Sequence, residues 1–212
     1  MSAPRADAAL AELVSARLCH DLISPMGAIG NGLELVQLAG GPAGPELALV
    51  NESLATALAK LRFYRVAFGP ADPLARQSVE EAAQVTDAMF HGRFTVFWTG
   101  QGRDLARPLV RLAYLSILCL EKSLPMGGAV RVAVTDDAVA LRVDGRRTQP
   151  PAELWAHVTT GTPLGELRSD SVQFPLLRLA LLAAGHRLAA RFDESSAEVA
   201  IALSPELAEA RP

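Results

Sequence analysis

The chain has 212 residues, 50% of them apolar, a formal net charge of -3 and two cysteines. That length and apolar content suffice for one large domain or two small ones around a buried core, and with this mild negative charge nothing argues for nucleic acid or an anionic membrane as the main partner. Cys19 and Cys119 both sit in helical apolar surroundings without a second pair for a metal site, and read as reduced thiols of a cytoplasmic protein.

No stretch reads as a signal peptide or a membrane span. Asp7 and Glu12 precede any long apolar run, and the most apolar segment, Leu176 to Ala190, is interrupted by Arg178, His186 and Arg187.

Residues 5–39 are rich in Ala and Leu and predict one long helix. Leu18, Leu22, Pro25, Ile29, Leu33 and Val36 recur every three or four positions, the stripe of one helical face. His20 lies two residues past Leu18, roughly 200° around the helix, and so points away from that stripe. Pro25 removes one intrahelical hydrogen bond and predicts a local bend one turn after His20. Gly40-Gly41-Pro42-Ala43-Gly44-Pro45 predicts a turn, and a second helix runs from Glu46 to about Phe68, ending at Gly69-Pro70. Two helices joined this way form an antiparallel hairpin, residues 1–70, which cannot cover both of its apolar stripes alone. A second copy would cover them, giving a homodimeric four-helix bundle. Equal rise from a turn near residue 42 sets His20 level with about residue 64, so Arg62, Phe63, Tyr64 and Arg65 are its expected neighbours across the hairpin.

After a linker at Ala71-Asp72-Pro73, Ser78-Val79-Glu80-Glu81 has the form of a capping box and opens a helix to about Phe90. Arg93 to Thr99 reads as a strand and Arg107 to Ser123 as a buried helix. Strands 129–135 and 138–144 flank Asp136-Asp137 as a hairpin. A short helix spans Pro151 to His157, and Ser171 is expected to cap another that reaches Ala184. Strands 187–193 and 198–203 close the chain. Helices on one side of a mixed sheet make residues 78–206 an α/β sandwich, and no internal repeat is evident.

The stretch Leu18-Cys19-His20-Asp21-Leu22-Ile23-Ser24-Pro25-Met26 resembles the phosphoacceptor box of two-component signalling, His-Glu/Asp-Leu-Arg-Thr/Ser-Pro-Leu, with Ile23 in the usual basic position. The extended wording, together with the hairpin and the α/β half, is most similar to the ChpT-type histidine phosphotransferases. The resemblance implies a relay of the CckA–ChpT–CtrA kind, in which His20 accepts a phosphoryl group from the receiver domain of a hybrid histidine kinase and hands it to response regulators. A neutral imidazole nitrogen is nucleophilic near pH 7 without special activation. Asp21 either selects the imidazole tautomer or assists proton removal. Leu22, Ser24, Pro25, Ala28 and Asn31 are expected to meet the partner, and Arg62 and Arg65 to pair with its acidic rim. His91, His157 and His186 read as turn or surface residues.

The order after residue 78 also resembles the ATP-binding domain of histidine kinases, with Lys122 to Gly128 matching the segment just after that family's asparagine box. The two asparagine positions align to Leu115 and Cys119, the adenine-contacting Asp-x-Gly-x-Gly becomes Asp144-Gly145-Arg146-Arg147, and Gln173-Phe174-Pro175 stands near where a glycine-rich lid would join its helix. Without carboxamides or a glycine loop whose amides cradle phosphate, the expectation is a degenerate kinase-ATPase-like domain that binds no ATP and needs no intrinsic cofactor. By the resemblance, Mg²⁺ sits in the partner receiver. Two rivals stand beside this reading: an ATP-dependent histidine kinase with an atypical nucleotide site, and a non-enzymatic adapter that binds receivers.

Overall fold

The structure, a computed structural model, describes residues 3–38, 44–70, 72–100 and 102–203. Most of the expected Gly/Pro turn, and the 204–206 end of the expected second domain, lie outside the described residues. Helix α1 spans Ala3–Leu38 and α2 spans Gly44–Ala67. They pack along one another as a hairpin, with Asp21 facing Lys60 and Tyr64. Proline does not end α1, which runs on through Pro25.

The rest of the chain is a two-layer α/β unit. Its elements are β1 (Arg76–Ser78), α3 (Val79–Met89), β2 (Phe94–Thr99), β3 (Asp104–Ala106), α4 (Arg107–Ser123), β4 (Gly128–Val134), β5 (Ala138–Gly145), α5 (Ala152–Thr160), α6 (Gln173–Ala183), β6 (His186–Phe192) and β7 (Ser196–Leu203). The main sheet has five strands in the order β2-β4-β5-β7-β6. Only the β2–β4 pair is parallel. Period-two alternation decides which face is covered. Val130, Val132, Val139, Leu141, Val143, Val199 and Ile201 all point to the buried side. The opposite face is open, with Arg131 paired to Asp144 and Arg142 to Glu198 across neighbouring strands. Helix α4 lies at the centre, buried along nearly its whole length from Leu109 to Leu120.

The hairpin and the sheet unit share this core. Phe63, near the C-terminal end of α2, is fully buried. It stacks on Tyr114 of α4 at 4.5 Å between ring centroids and meets Phe90 edge-on at 5.2 Å, both favourable aromatic geometries. Tyr64, Val66 and Ala67 belong to the same cluster.

Several expectations change at this point. β1 and β3 pair as a small antiparallel sheet of their own; at three residues each, they are too short to leave a periodic signal. The Ser78 hydroxyl does accept from the Glu81 amide at 3.0 Å. Ser171, in contrast, caps nothing. It sits in a short 3-10 turn, Ser169–Ser171, and its Oγ donates to the Arg168 carbonyl, while α6 starts without a side-chain cap. The turn already supplies helical backbone ahead of α6, so a capping hydroxyl has no role there. Helix α5 continues to Thr160 and stops at Gly161, whose φ is 80°.

Gly127 gives a direct test of the sheet's start. Its φ is +79°, and a Cβ there would run into the Arg93 carbonyl, whereas one at Gly165 would meet nothing within 4 Å. Gly127→Ala should destabilise the chain by about 2 kcal/mol or more, and Gly165→Ala should be close to neutral, as read by denaturant melts.

Candidate functional site

The site begins with a missing amide. Pro25 has no N–H to give to the carbonyl four residues earlier, which is that of Asp21. Lys60, reaching across from α2, donates from Nζ to that carbonyl at 2.8 Å. The proline of the box therefore exposes an acceptor, and a cation from the other helix satisfies it.

The Asp21 side chain is held as tightly as its main chain. Oδ2 accepts from Arg17 Nε at 2.6 Å, one turn earlier on α1, and from the Tyr64 hydroxyl across the hairpin. Oδ1 lies 3.0 Å from Nδ1 of His20. Burial opposes ionisation of Asp21, but hydrogen bonds from Tyr64, His20 and Arg17 outweigh it and hold the carboxyl below its ordinary value. Burial, seconded by the hydrogen bond to Asp21, pushes the Tyr64 phenol well up, so it stays a donor. Burial also opposes the charge on Arg17, yet Tyr64 and Asp21 together raise its pKa.

An ionised carboxylate only accepts. For the 3.0 Å contact to be a hydrogen bond, Nδ1 of His20 is the donor, and in the neutral ring that leaves the lone pair on Nε2. The His20 side chain is 84% exposed, so this nucleophilic nitrogen is open to a partner while its other nitrogen is fixed from below.

The other expected residues divide into two groups. Leu22 and Ala28 are half-buried, Pro25 is buried, and Ser24 and Asn31 are exposed; all follow His20 along the same helix. Arg62 and Arg65 are exposed but not beside His20. With Gln77, Glu81 and Gln84 they line a cavity of about 270 Å³ between α2 and α3. Lys60 and Tyr64, four apart, share the helical face toward α1, and Arg62 falls midway between them on the opposite side. Of the four neighbours expected for His20, Tyr64 instead bonds the adjacent Asp21, and Phe63 goes to the core.

Arg17 and Lys60 were not anticipated. Arg17 precedes Asp21 by four residues, a spacing visible in sequence; Lys60 required the exact register of the hairpin. A second cavity of about 270 Å³ adjoins the cluster at the seam between the two units, lined by Arg17, Arg93, Glu121, Lys122, Asp170 and Gln173 among others.

Leu115 and Cys119, the positions aligned above with the asparagine box, are fully buried in the core. Asp144 stands on the open face of the sheet, paired with Arg131. Among the described residues no group of three or more His, Cys, Asp or Glu side chains is placed to hold a metal ion, and no helix is long and apolar enough to cross a membrane. His157 and His186 contact carbonyls in their own turns.

Because the Asp21 carboxyl is depressed in the folded chain, its contribution to stability is complete above the ordinary carboxylate range. It is lost as pH falls through the lower, folded value. Asp21→Asn should therefore flatten the acid limb of a plot of Tm against pH below about pH 4. A variant with an unchanged acid limb would mean that the Arg17–Tyr64–Asp21 cluster is not formed.

Residues 79–196 match the family model described as Histidine phosphotransferase C-terminal domain. The chain is 33% identical over 170 residues to Protein phosphotransferase ChpT of Brucella abortus (strain 2308), covering 77% of this chain and 81% of that one. The solved structure of a bacterial phosphotransferase superposes with a TM-score of 0.75 at 28% identity, over 95% of this chain and 97% of the other. With more than half its length inside the family model and a relative of this closeness, the chain belongs to the ChpT-type histidine phosphotransferase family.

Proposed function

We propose that His20 is the phosphoacceptor of a relay, taking a phosphoryl group from the receiver domain of a hybrid histidine kinase and passing it to response-regulator receivers, as in a CckA–ChpT–CtrA pathway. One observation carries this reading: an exposed imidazole whose Nδ1 is bound to an aspartate that is itself held ionised. The Nε2 lone pair attacks the phosphorus of an aspartyl phosphate, the N–P bond forms as the acyl P–O bond breaks, and the partner's carboxylate leaves with the electron pair. No proton has to depart. The ring becomes a phosphoimidazolium that keeps its Nδ1 proton, and Asp21 neutralises its positive charge. Transfer onward breaks the N–P bond and returns the neutral ring. Asp21 thus orients and stabilises rather than removing a proton.

Phosphoryl transfer otherwise depends on positioning and charge neutralisation. In this reading the magnesium belongs to the partner's acidic pocket. Ser24, Ala28 and Asn31 form the docking strip beyond His20, and Leu22 and Pro25 back it from the buried side. Arg62 and Arg65, facing α3 rather than His20, meet an acidic rim of the receiver away from the reacting atoms. The burial of Leu115 and Cys119 supports an α/β unit without ATP chemistry, and free cysteines at positions 19 and 119 suit the reducing cytoplasm.

The dimer follows from what the hairpin leaves uncovered. Met26 and Leu33 on α1, with Leu54, Leu58 and Leu61 on α2, are exposed at helical spacing. An apolar strip of this extent favours a covering partner, and a second hairpin completes a four-helix bundle. A variant carrying Leu54→Arg and Leu58→Arg should run at half the wild-type mass in light scattering. A wild-type chain that is monomeric at micromolar concentration would contradict the bundle.

The relay is tested by mixing the chain with a receiver domain phosphorylated by labelled acetyl phosphate, and separately with labelled ATP. Acid-labile label gained from the receiver and absent in His20→Ala is the expected result. Label gained from ATP alone would make the chain a kinase, and binding without label would make it an adapter.

A further inference from the structure

One guanidinium joins the two halves of the molecule at the site. Arg17 donates through Nε to Asp21 Oδ2 at 2.6 Å, and through Nη1 to the main-chain carbonyl of Asp170 at 3.2 Å. Asp170 lies 153 residues further along, in the 3-10 turn that precedes α6. That turn is fixed in its own right. The Asp170 carboxylate pairs with Lys122 at the end of α4 at 2.5 Å. Gln173, almost fully buried, donates to the same Asp170 carbonyl at 3.3 Å. The Ser171 amide returns to Arg168 at 3.1 Å.

The chemistry calls for arginine in this place. Its planar fork presents several donors in fixed relative directions, so one arm can hold a carboxylate while another holds a carbonyl. A lysine offers three donors on one rotatable ammonium, without the fixed fork that holds two separate acceptors in place. An i,i+4 pair that served only the helix would need no second arm on a remote turn. The groups around Arg17 come from every neighbouring element: Asp21 on α1, Lys60 and Tyr64 on α2, Arg93 before β2, Glu121 and Lys122 on α4, and Asp170 in the turn. The carboxylate that orients His20 is therefore held by Tyr64 within the hairpin and, through Arg17, by the α/β unit.

We propose that Arg17 is a positioning residue through which the α/β unit fixes the orientation of Asp21 and so the tautomer of His20. This deepens the reading of His20 as phosphoacceptor and rests on it. In these terms, the sheet unit braces the reactive helix from a distance without touching the reacting atoms.

The test uses the full chain as wild type, Arg17→Ala, Arg17→Lys and Lys122→Ala. Two readouts are needed: the single-turnover rate from the acetyl-phosphate-labelled receiver as its concentration is varied, and the His20 tautomer by ¹⁵N NMR without phosphate. Arg17→Ala should lower the saturated rate roughly 10- to 100-fold, leave the half-saturating receiver concentration unchanged, and mix the two tautomers. Arg17→Lys should recover thermal stability but only part of the rate. Lys122→Ala, with no contact to His20 or Asp21, should shift rate and tautomer the same way by less, and it keeps the test alive if Arg17→Ala fails to fold. A wild-type rate with a single tautomer in Arg17→Ala would overturn the proposal. So would a loss confined to receiver affinity, which would make Arg17 a docking residue, or a full rate in Arg17→Lys. A wild-type chain that takes no phosphoryl group would sink the phosphoacceptor reading, while the tautomer comparison would still decide the brace.

Discussion

The molecule depends on keeping Asp21 ionised in a half-buried position. A carboxylate taken partly out of water is costly unless hydrogen-bonded donors replace its hydration. Three donors do so here: the Arg17 guanidinium, the Tyr64 phenol and Nδ1 of His20. Burial and the bond to Asp21 keep the Tyr64 phenol protonated, while Tyr64 and Asp21 hold the charge on Arg17 against its burial. Their strength leaves the imidazole one role, to donate a hydrogen bond from Nδ1–H to Oδ1 and present Nε2 outward. In the proposed relay, local electrostatics thus select Nε2 as the reacting nitrogen, and no catalytic base is required.

The fold serves this arrangement through its core. Phe63 and Tyr64 are adjacent on α2 but face different tasks. Phe63 stacks into the sheet unit against Tyr114 and Phe90, and Tyr64 turns its hydroxyl to Asp21. Packing of the first fixes the direction of the second, so the hairpin register at the site is set by aromatic contacts with α3 and α4. Pro25 acts in the same direction from the other helix, opening the Asp21 carbonyl to Lys60.

Much of this was legible in the chain. The stripe beginning at Leu18 and Leu22 placed His20 on an exposed face. Equal rise about the turn set it level with Tyr64, and the Ser78–Glu81 spacing announced its helix. The box wording carried the family. Other features left no trace in sequence. β1 and β3 are too short for a periodic signal and exist because each supplies the other's partner. Ser171 matches a cap in composition, yet a 3-10 turn occupies the place where a cap would act. The facing of Arg62 and Arg65 toward α3 turned on an angle of one residue, finer than a count of helical rise resolves. The Arg17–Asp170 contact joins residues far apart in the chain, and only tertiary packing brings them together.

The most direct test of the central claim is to phosphorylate the chain from a receiver and determine which atom carries the phosphoryl group, by ³¹P and ¹⁵N NMR on labelled histidine. The geometry at Asp21 requires phosphate on Nε2 of His20, with Nδ1 still protonated. Phosphate on Nδ1, or on any residue other than His20, would contradict it.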